Sequence, residues 1–398
     1  MKHTATNLVR LLGQRNNVLS RVIEGPTDAS TLTQTVSVSR STIDRALSAF
    51  KEWGLIVSDS DRIEPTLFAR LVGKVYTDFE TEVGAVGRNL PPDSPSWSAV
   101  GTGADAVKLV TTRIDLLEYA ETARTKRTLV TELPYARSTV DRAVRELEQA
   151  GLIQRTAAGY ATTDVGQWIT ARYHVAHEAI ADVLAVRDLL RYLPTDEMFP
   201  PALFGGIDIE RAERTVPYHL LKGLREHLVA AERIRAVLPT LPTPQFLSVC
   251  HRQVIQRGTT FELITTPALA DTLTDEFPRL LAEMTDATTG SITTSTGTTP
   301  PFGLILSTTD AGLGGSVLVY DDHQSVIGAF HADSDAALTW IKDYYEHLHE
   351  QATKITPEWL DAITTEASNR PPLSTTLDHA RREDESSDRC SYDFIYRN

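Results

Sequence analysis

Cysteine is nearly absent: Cys250 and Cys390 are the only two in 398 residues. That excludes a disulfide framework and a cysteine zinc site. No run of apolar residues approaches the length of a membrane span, and Met1 to Ser20 lacks the apolar core of a secretory signal. A cytoplasmic protein is expected. Lysine is scarce, 8 against 31 arginines. What remains suits a soluble chain of two or three domains, 41% hydrophobic by composition.

The formal net charge of −14 looks wrong for a protein that meets nucleic acid, but the acid is not evenly spread. Residues 1–90 carry a net +1, residues 101–175 again +1, and residues 176–398 carry −15. Neither N-terminal segment is strongly basic, which weighs against strong phosphate attraction, the main source of non-specific affinity. Acid surface with little lysine fits a protein of a salt-loving archaeon, where high salt already weakens that attraction.

One stretch occurs twice. Arg40-Ser41-Thr42-Ile43-Asp44-Arg45-Ala46 returns as Arg137-Ser138-Thr139-Val140-Asp141-Arg142-Ala143, 97 residues on. Gly54-Leu55-Ile56 returns as Gly151-Leu152-Ile153 at the same shift, and Leu19 and Leu32 find Leu116 and Leu129. A supersecondary unit is used twice. In the first copy Ile43, Ala46, Leu47 and Phe50 form one apolar stripe at helical spacing; in the second the stripe is Val140, Ala143, Val144 and Leu147. Ser39 is placed to cap the first helix, whereas Ala136 cannot cap the second. Gly54 and Gly151 stand where a helix ends in a left-handed residue.

With the stripe turned inward, Arg40, Ser41, Thr42 and Arg45 face outward on the first turns, as do Arg137, Ser138, Thr139 and Arg142. Arginines and short hydroxyls at a helix N-terminus suit phosphates and base edges. A preceding short helix (about 29–36 and 125–133) completes a helix-turn-helix. Leu-Ile, a polar tip and a return strand then make a wing. These eight residues are the expected DNA contacts, the second unit being the main one. Packing or dimerisation alone is the plain alternative for each helical pair.

The chain then divides as follows. Residues 1–83 form the first winged helix-turn-helix with its trailing helix. A linker is expected over 84–103 (three prolines, four glycines), the second winged unit over 104–163, and one long connecting helix over 164–193. That helix has more apolar surface than one winged domain can cover, so a homodimer is expected. Residues 194–365 alternate strands and helices: strands at 234–238, 261–265, 302–307, 316–320 and 326–330, helices at 244–256, 268–284 and 334–351. Residues 285–299, with eight threonines, read as a solvated loop, and 366–398 as a disordered acidic tail. His174, His177 and Glu178 share helical spacing but suggest no third ligand, so a solvated face is expected there, with no metal and no cofactor. His347 and His349 read as surface residues. Gly312 to Gly315 has no phosphate-loop context and reads as a tight turn.

Arg233-Ile234-Arg235-Ala236-Val237-Leu238-Pro239, Pro301-Phe302-Gly303-Leu304, Gly312-Leu313-Gly314-Gly315 and Val319-Tyr320-Asp321 carry a resemblance. With the second winged unit before them, residues 176–355 resemble archaeal winged-helix transcriptional regulators of the methanogenesis-regulator family, common in haloarchaea. Members usually carry one winged unit; this chain has two. The resemblance implies a sensor domain of phospholipase D-like fold. A working enzyme of that fold needs His-x-Lys, and none occurs in the sequence, so no enzyme is expected. The fold class is therefore α+β or α/β multidomain: two winged helix-turn-helix domains, then an α/β sensor. A small polar metabolite is expected at the strand ends, near Thr265, Thr266, Tyr320 and Asp321, with His251 and Arg252 adding donors and Ser307 to Thr309 arriving at the same edge. An enzyme tethered to DNA and a DNA-associated protein-interaction module remain the alternatives.

Overall fold

Apolar stripes on helices and apolar alternation on strands carry this architecture. The structure is a computed structural model that describes residues 3–59, 62–89, 102–212, 222–286, 290–295, 299–332 and 334–354. These lie in one compact unit, residues 1–354; a second unit, 355–398, lies outside the described residues, and with it the expected tail.

The first repeat runs α1 (Ala5–Ile23), α2 (Ala29–Thr35), α3 (Arg40–Trp53), β1 (Ile56–Asp59), β2 (Arg62–Pro65) and α4 (Leu67–Asn89). The second runs α5 (Gly103–Tyr119), α6 (Lys126–Glu132), α7 (Arg137–Gln149), β3 (Ile153–Thr156), β4 (Gly159–Thr162) and α8 (Asp164–Ala185). Several bonds between elements repeat at the 97-residue shift. Thr27 and Ile63 exchange backbone hydrogen bonds, and so do Arg124 and Tyr160. Thr66 Oγ1 donates to Gly54 O at 2.9 Å, and Thr163 Oγ1 to Gly151 O at 2.6 Å. Gly54 and Gly151 hold φ of 70° and 66°, the left-handed region where a side chain is disfavoured.

α4 and α8 are counterparts, and with α1 and α5 they make one four-helix layer. Ile169, Tyr173, Ala176, Ile180 and Val183 of α8 are buried, in a helix that packs on α1, α4 and α5. The apolar face expected to seek a second chain is therefore covered within the first, and the ground given for a homodimer falls away. The expected linker is helical at both ends: α4 continues through Gly84 to Asn89, and α5 begins at Gly103. Each helical glycine costs about 1 kcal/mol against alanine. Here they permit close approach, since a Cβ on Gly103 would lie 2.6 Å from Glu80 O and 2.7 Å from Gly84 Cα.

The single helix expected over 164–193 breaks at Val186 and resumes as α9 (Arg187–Leu190). Arg211 Nη2 donates to Ala185 O at 2.6 Å and its guanidinium pairs with Asp188 at 2.9 Å, giving the interrupted backbone an external partner.

The remainder is an eight-stranded mixed sheet. Its strands are β5 (Asp208–Arg211), β6 (Arg233–Leu238), β7 (Thr260–Thr265), β8 (Gly290–Ser295), β9 (Phe302–Thr309), β10 (Gly312–Tyr320), β11 (Val326–Ala332) and β12 (Ala352–Lys354), in spatial order β12-β8-β7-β6-β9-β10-β11-β5. β6, β7 and β8 run parallel and every other pairing is antiparallel. Helices α10 (Lys222–Ala230), α11 (Pro244–Arg257), α12 (Pro267–Glu276), α13 (Pro278–Asp286) and α14 (Asp335–Glu350) accompany it.

Four expectations change here. The helix over 268–284 is split at Phe277, because Pro278 cannot continue the hydrogen-bond ladder. The threonine-rich loop contains β8; β-branched threonine fits a strand, and Thr293 Oγ1 donates to Leu263 O at 3.2 Å. Gly312 to Gly315 is strand, not turn. Gly315 lets α14 lie close, since a Cβ there would come within 2.7 Å of Ile341 Cδ1. Finally, β9 opposes β6, and Thr308 pairs with Arg233. Ser307 to Thr309 thus reaches the edge opposite Thr265.

Candidate nucleic-acid interface

Each helix-turn-helix turns its apolar stripe inward. Ile43, Ala46, Leu47 and Phe50 are buried on α3, and Val140, Ala143, Val144 and Leu147 on α7. The geometry therefore leaves Arg40, Ser41, Asp44 and Arg45 exposed with Thr42 half-buried, and Arg137, Ser138 and Arg142 exposed with Thr139 half-buried. The guanidinium-bearing side chains of Arg40, Arg137 and Arg142 are 62%, 83% and 72% accessible. The two first turns offer the same chemistry in the same place.

Their internal wiring differs. Ser39 caps α3 by accepting from Thr42 N, and its Oγ also lies 3.1 Å from Ser41 Oγ and 2.9 Å from Thr42 Oγ1. Ala136 provides no such cap, so Ser138 and Thr139 of α7 have no hydroxyl anchor of that kind. Arg40 Nε donates to Asp44 at 3.4 Å. On α7, Arg142 Nε donates to Glu146 Oε1 at 2.7 Å while Arg113 of α5 holds Glu146 Oε2 at 2.8 Å. Partial burial raises the Glu146 carboxyl, but hydrogen bonds from Arg142 and Arg113 outweigh it and hold the group below the usual range. Lys126 of α6 lies 2.8 Å from Asp141, and its hydrogen bond holds that carboxyl low as well. Exposed i,i+4 pairs of this kind are worth about 0.3–0.5 kcal/mol. A phosphate can therefore compete for these arginines at small cost.

Position-by-position comparison of the repeats exposes residues that the motif alone did not single out. Lys126 and Arg127 stand where the first unit has Ala29 and Ser30, and Arg145 stands where it has Ser48. The second unit thus has more basic residues at its helix-turn-helix, five over 126–150 against three over 29–53, but also more acidic ones, four against two, so the two carry the same net charge. The signal was present in the sequence but needed the 97-residue alignment to be seen.

Of the histidines expected on a solvated face, His174 is exposed and His177 is half-buried. His174 approaches Glu118 at 3.5 Å, and His177 Nε2 lies 3.1 Å from Thr6 Oγ1. His347 contacts Gln351, and His349 stacks on Tyr345.

In the sheet domain three of the six residues expected around a metabolite converge. Thr265 Oγ1 donates to Leu238 O at 2.7 Å, Thr266 Oγ1 to Pro239 O at 3.4 Å and Tyr320 Oη to Thr240 O at 3.2 Å. Three hydroxyls thus satisfy three successive carbonyls where β6 ends. Thr266 Oγ1 also caps α12. Burial pushes the Tyr320 phenol far up, consistent with a neutral donor. Asp321 accepts from the backbone of His323 and Ser325 in the β10–β11 turn. His251 pairs with Glu283 at 2.8 Å and Arg252 is exposed on α11, apart from that trio of hydroxyls in its bonding.

No curated protein matches the chain. Among solved structures it is similar to TrmBL2, described as an archaeal chromatin protein showing a novel mode of DNA binding. Identity is 14% over 62% of this chain and 94% of that one, with a TM-score of 0.30. It is also similar to Nuc from Salmonella typhimurium, a phospholipase D family member, at 8% identity over 38% and 97% of the two chains and a TM-score of 0.28. NucT from Helicobacter pylori gives 9%, 37%, 98% and 0.29. At such scores the likeness is loose. Two family models match more directly. Residues 4–88 and 103–184 each match the HVO_A0261 N-terminal domain, and residues 217–351 match the middle domain of the methanogenesis regulatory protein FilR1. The sheet domain is thus similar to one domain of a methanogenesis regulator, and both repeats to one and the same N-terminal domain.

Proposed function

We propose that the chain is a transcriptional regulator, not an enzyme, whose two winged helix-turn-helix units read operator DNA in the cytoplasm of a salt-loving archaeon. One observation carries the reading: Arg-Ser-Thr-x-Asp-Arg stands outward on the first turns of α3 and α7, opposite a buried stripe, in both copies. Arg40, Ser41, Thr42 and Arg45 serve the first unit; Arg137, Ser138, Thr139 and Arg142 serve the second. The match of the sheet domain to a regulator's middle domain supports a regulatory role for it.

The sheet domain is proposed to respond to a small polar effector, and this part of the reading stands on the family likeness. An effector at the end of β6 has to share Thr265, Thr266 and Tyr320 with the carbonyls they already serve, with Asp321, His251 and Arg252 as further candidate contacts. Its influence on DNA affinity is bounded by its preference between two conformations, typically about 1–3 kcal/mol.

Chromatin immunoprecipitation with sequencing recovers the operator, which is then titrated with purified protein at the cell's salt. Arg137→Ala with Arg142→Ala should cost about 1–3 kcal/mol for each base edge no longer read, and lower the slope against log salt by about one for each phosphate no longer neutralised. Unchanged affinity and slope in that variant and in Arg40→Ala with Arg45→Ala together would overturn the reading.

A further inference from the structure

The repeat is not a tandem string of independent units. α1 and α5 pack together, and so do α4 and α8; α1 also packs on α8, and α4 on α5. Exchanging the two units, by moving every first-unit element to its second-unit counterpart and back, turns the last two pairings into each other. A screw or translation would carry the second unit onto a third that does not exist. A closed exchange of this kind is an isologous, two-fold contact.

Single residues obey the same exchange. Thr6 of α1 meets His177 of α8, with Oγ1 and Nε2 3.1 Å apart. Their counterparts are Gly103 and Glu80, and there the helices touch again, so closely that a Cβ on Gly103 would sit 2.6 Å from Glu80 O. Tyr76 and its counterpart Tyr173 are both buried in this layer. Tyr76 hydrogen-bonds with Thr111 of α5, and the ring of Tyr173 meets Phe79 of α4 edge-on, centroids 6.5 Å apart. Each tyrosine therefore reaches into the opposite unit.

We infer that one chain is a complete, built-in dimer that reads two half-sites in inverted orientation, resting on the proposal that α3 and α7 are recognition helices. Two-fold-related readers require two-fold-related sites, as in dimeric helix-turn-helix proteins. Here the two-fold lies inside one polypeptide, so the halves are free to differ. Arg-Ser-Thr-x-Asp-Arg is common to both, but Ser48 corresponds to Arg145 and Lys51 to Glu148 at the 97-residue shift. The half-sites should share the positions read by the first turn and diverge at those reached by the later turns. The outcome is an imperfect inverted repeat with a fixed polarity, so a single bound chain distinguishes left from right.

The test uses the full chain and duplexes selected from a randomised library at high salt. The expected result is an imperfect inverted repeat bound by one chain, with a protein mass of 43.9 kDa per duplex in native mass spectrometry. Arg40→Ala with Arg45→Ala should remove nuclease protection from one half-site, and Arg137→Ala with Arg142→Ala from the other, each weakening binding about 10- to 100-fold. Circular dichroism matching the parent shows that these exposed substitutions leave the fold intact. Two chains per duplex, or a footprint in which one double variant erases both halves while the other erases neither, overturns the built-in dimer and leaves the DNA-reading proposal standing. Failure to select any duplex overturns both.

Discussion

Gly13 is a close-packed point between α1 and α5, and Gly13→Ala isolates it. Mid-helix, the exchange should favour alanine by about 0.8–1.0 kcal/mol. The environment argues the other way. A Cβ at Gly13 would collide with Thr111 Oγ1, come within 3.2 Å of Thr111 Cβ and reach 3.5 Å from Tyr76 Oη. Thr111 is wholly buried, its Oγ1 donates to Lys108 O at 3.0 Å, and it also hydrogen-bonds with Tyr76, itself 1% exposed. Turning the threonine away relieves the collision but strands the Tyr76 hydroxyl. Overpacking costs about 1–3 kcal/mol and an unpaired buried hydroxyl about 1–3 kcal/mol more, so only part of either need be incurred to outweigh helix propensity. The expected net loss is about 1–3 kcal/mol, read as a lowered urea midpoint by tryptophan fluorescence, with Trp53 buried in the first unit. Thr111→Ala removes the colliding atom. The double variant should therefore lose less than the sum of the two single losses by about 1 kcal/mol or more. A Gly13→Ala protein as stable as its parent, or strictly additive losses, would refute the account of a close-packed layer at this position.

Three further outcomes follow from individual bonds. Ala136→Ser supplies the cap that Ser39 gives α3 and should stabilise the second unit by about 0.5–1 kcal/mol in thermal unfolding, while Ser39→Ala loses a similar amount from the first; a null effect at both positions would show that these caps do not set helix stability. Burial, aided by the neighbouring His174, holds His177 below the usual imidazole range. The unfolded chain then protonates first as pH falls, so the stability His177 contributes is present above about pH 6.5 and is lost as pH drops through the lower folded value. His177→Gln should flatten that part of the urea-midpoint profile, and an unchanged profile would count against it. Tyr320→Phe removes the donor to Thr240 O and should cost about 1 kcal/mol; no measurable loss on calorimetry would mean that water replaces the phenol.

The sequence alone determined the elements and their outward chemistry. A 97-residue shift aligns Arg40 with Arg137 and Gly54 with Gly151, and apolar residues three and four apart mark the buried side of each helix. Caps, stripes and left-handed glycines depend on neighbours within one or two turns, so they are legible in a single string. The same string misplaced what depends on a distant partner. Helical periodicity shows that α8 needs a cover but not that α1, α4 and α5 provide it, so its apolar face was no ground for a second chain. Threonines 285 to 299 read as loop because strand propensity is weak until β7 and β12 offer hydrogen bonds to β8. Ser307 to Thr309 was expected at the same sheet edge as Thr265 because a strand's direction is fixed by its neighbours, not by its residues. The hydroxyls of Thr265, Thr266 and Tyr320, polar and near one another as expected, were found to be engaged with carbonyls of a segment about 80 residues before Tyr320. Local spacing tells which groups seek burial or a partner; only the folded chain decides which group answers.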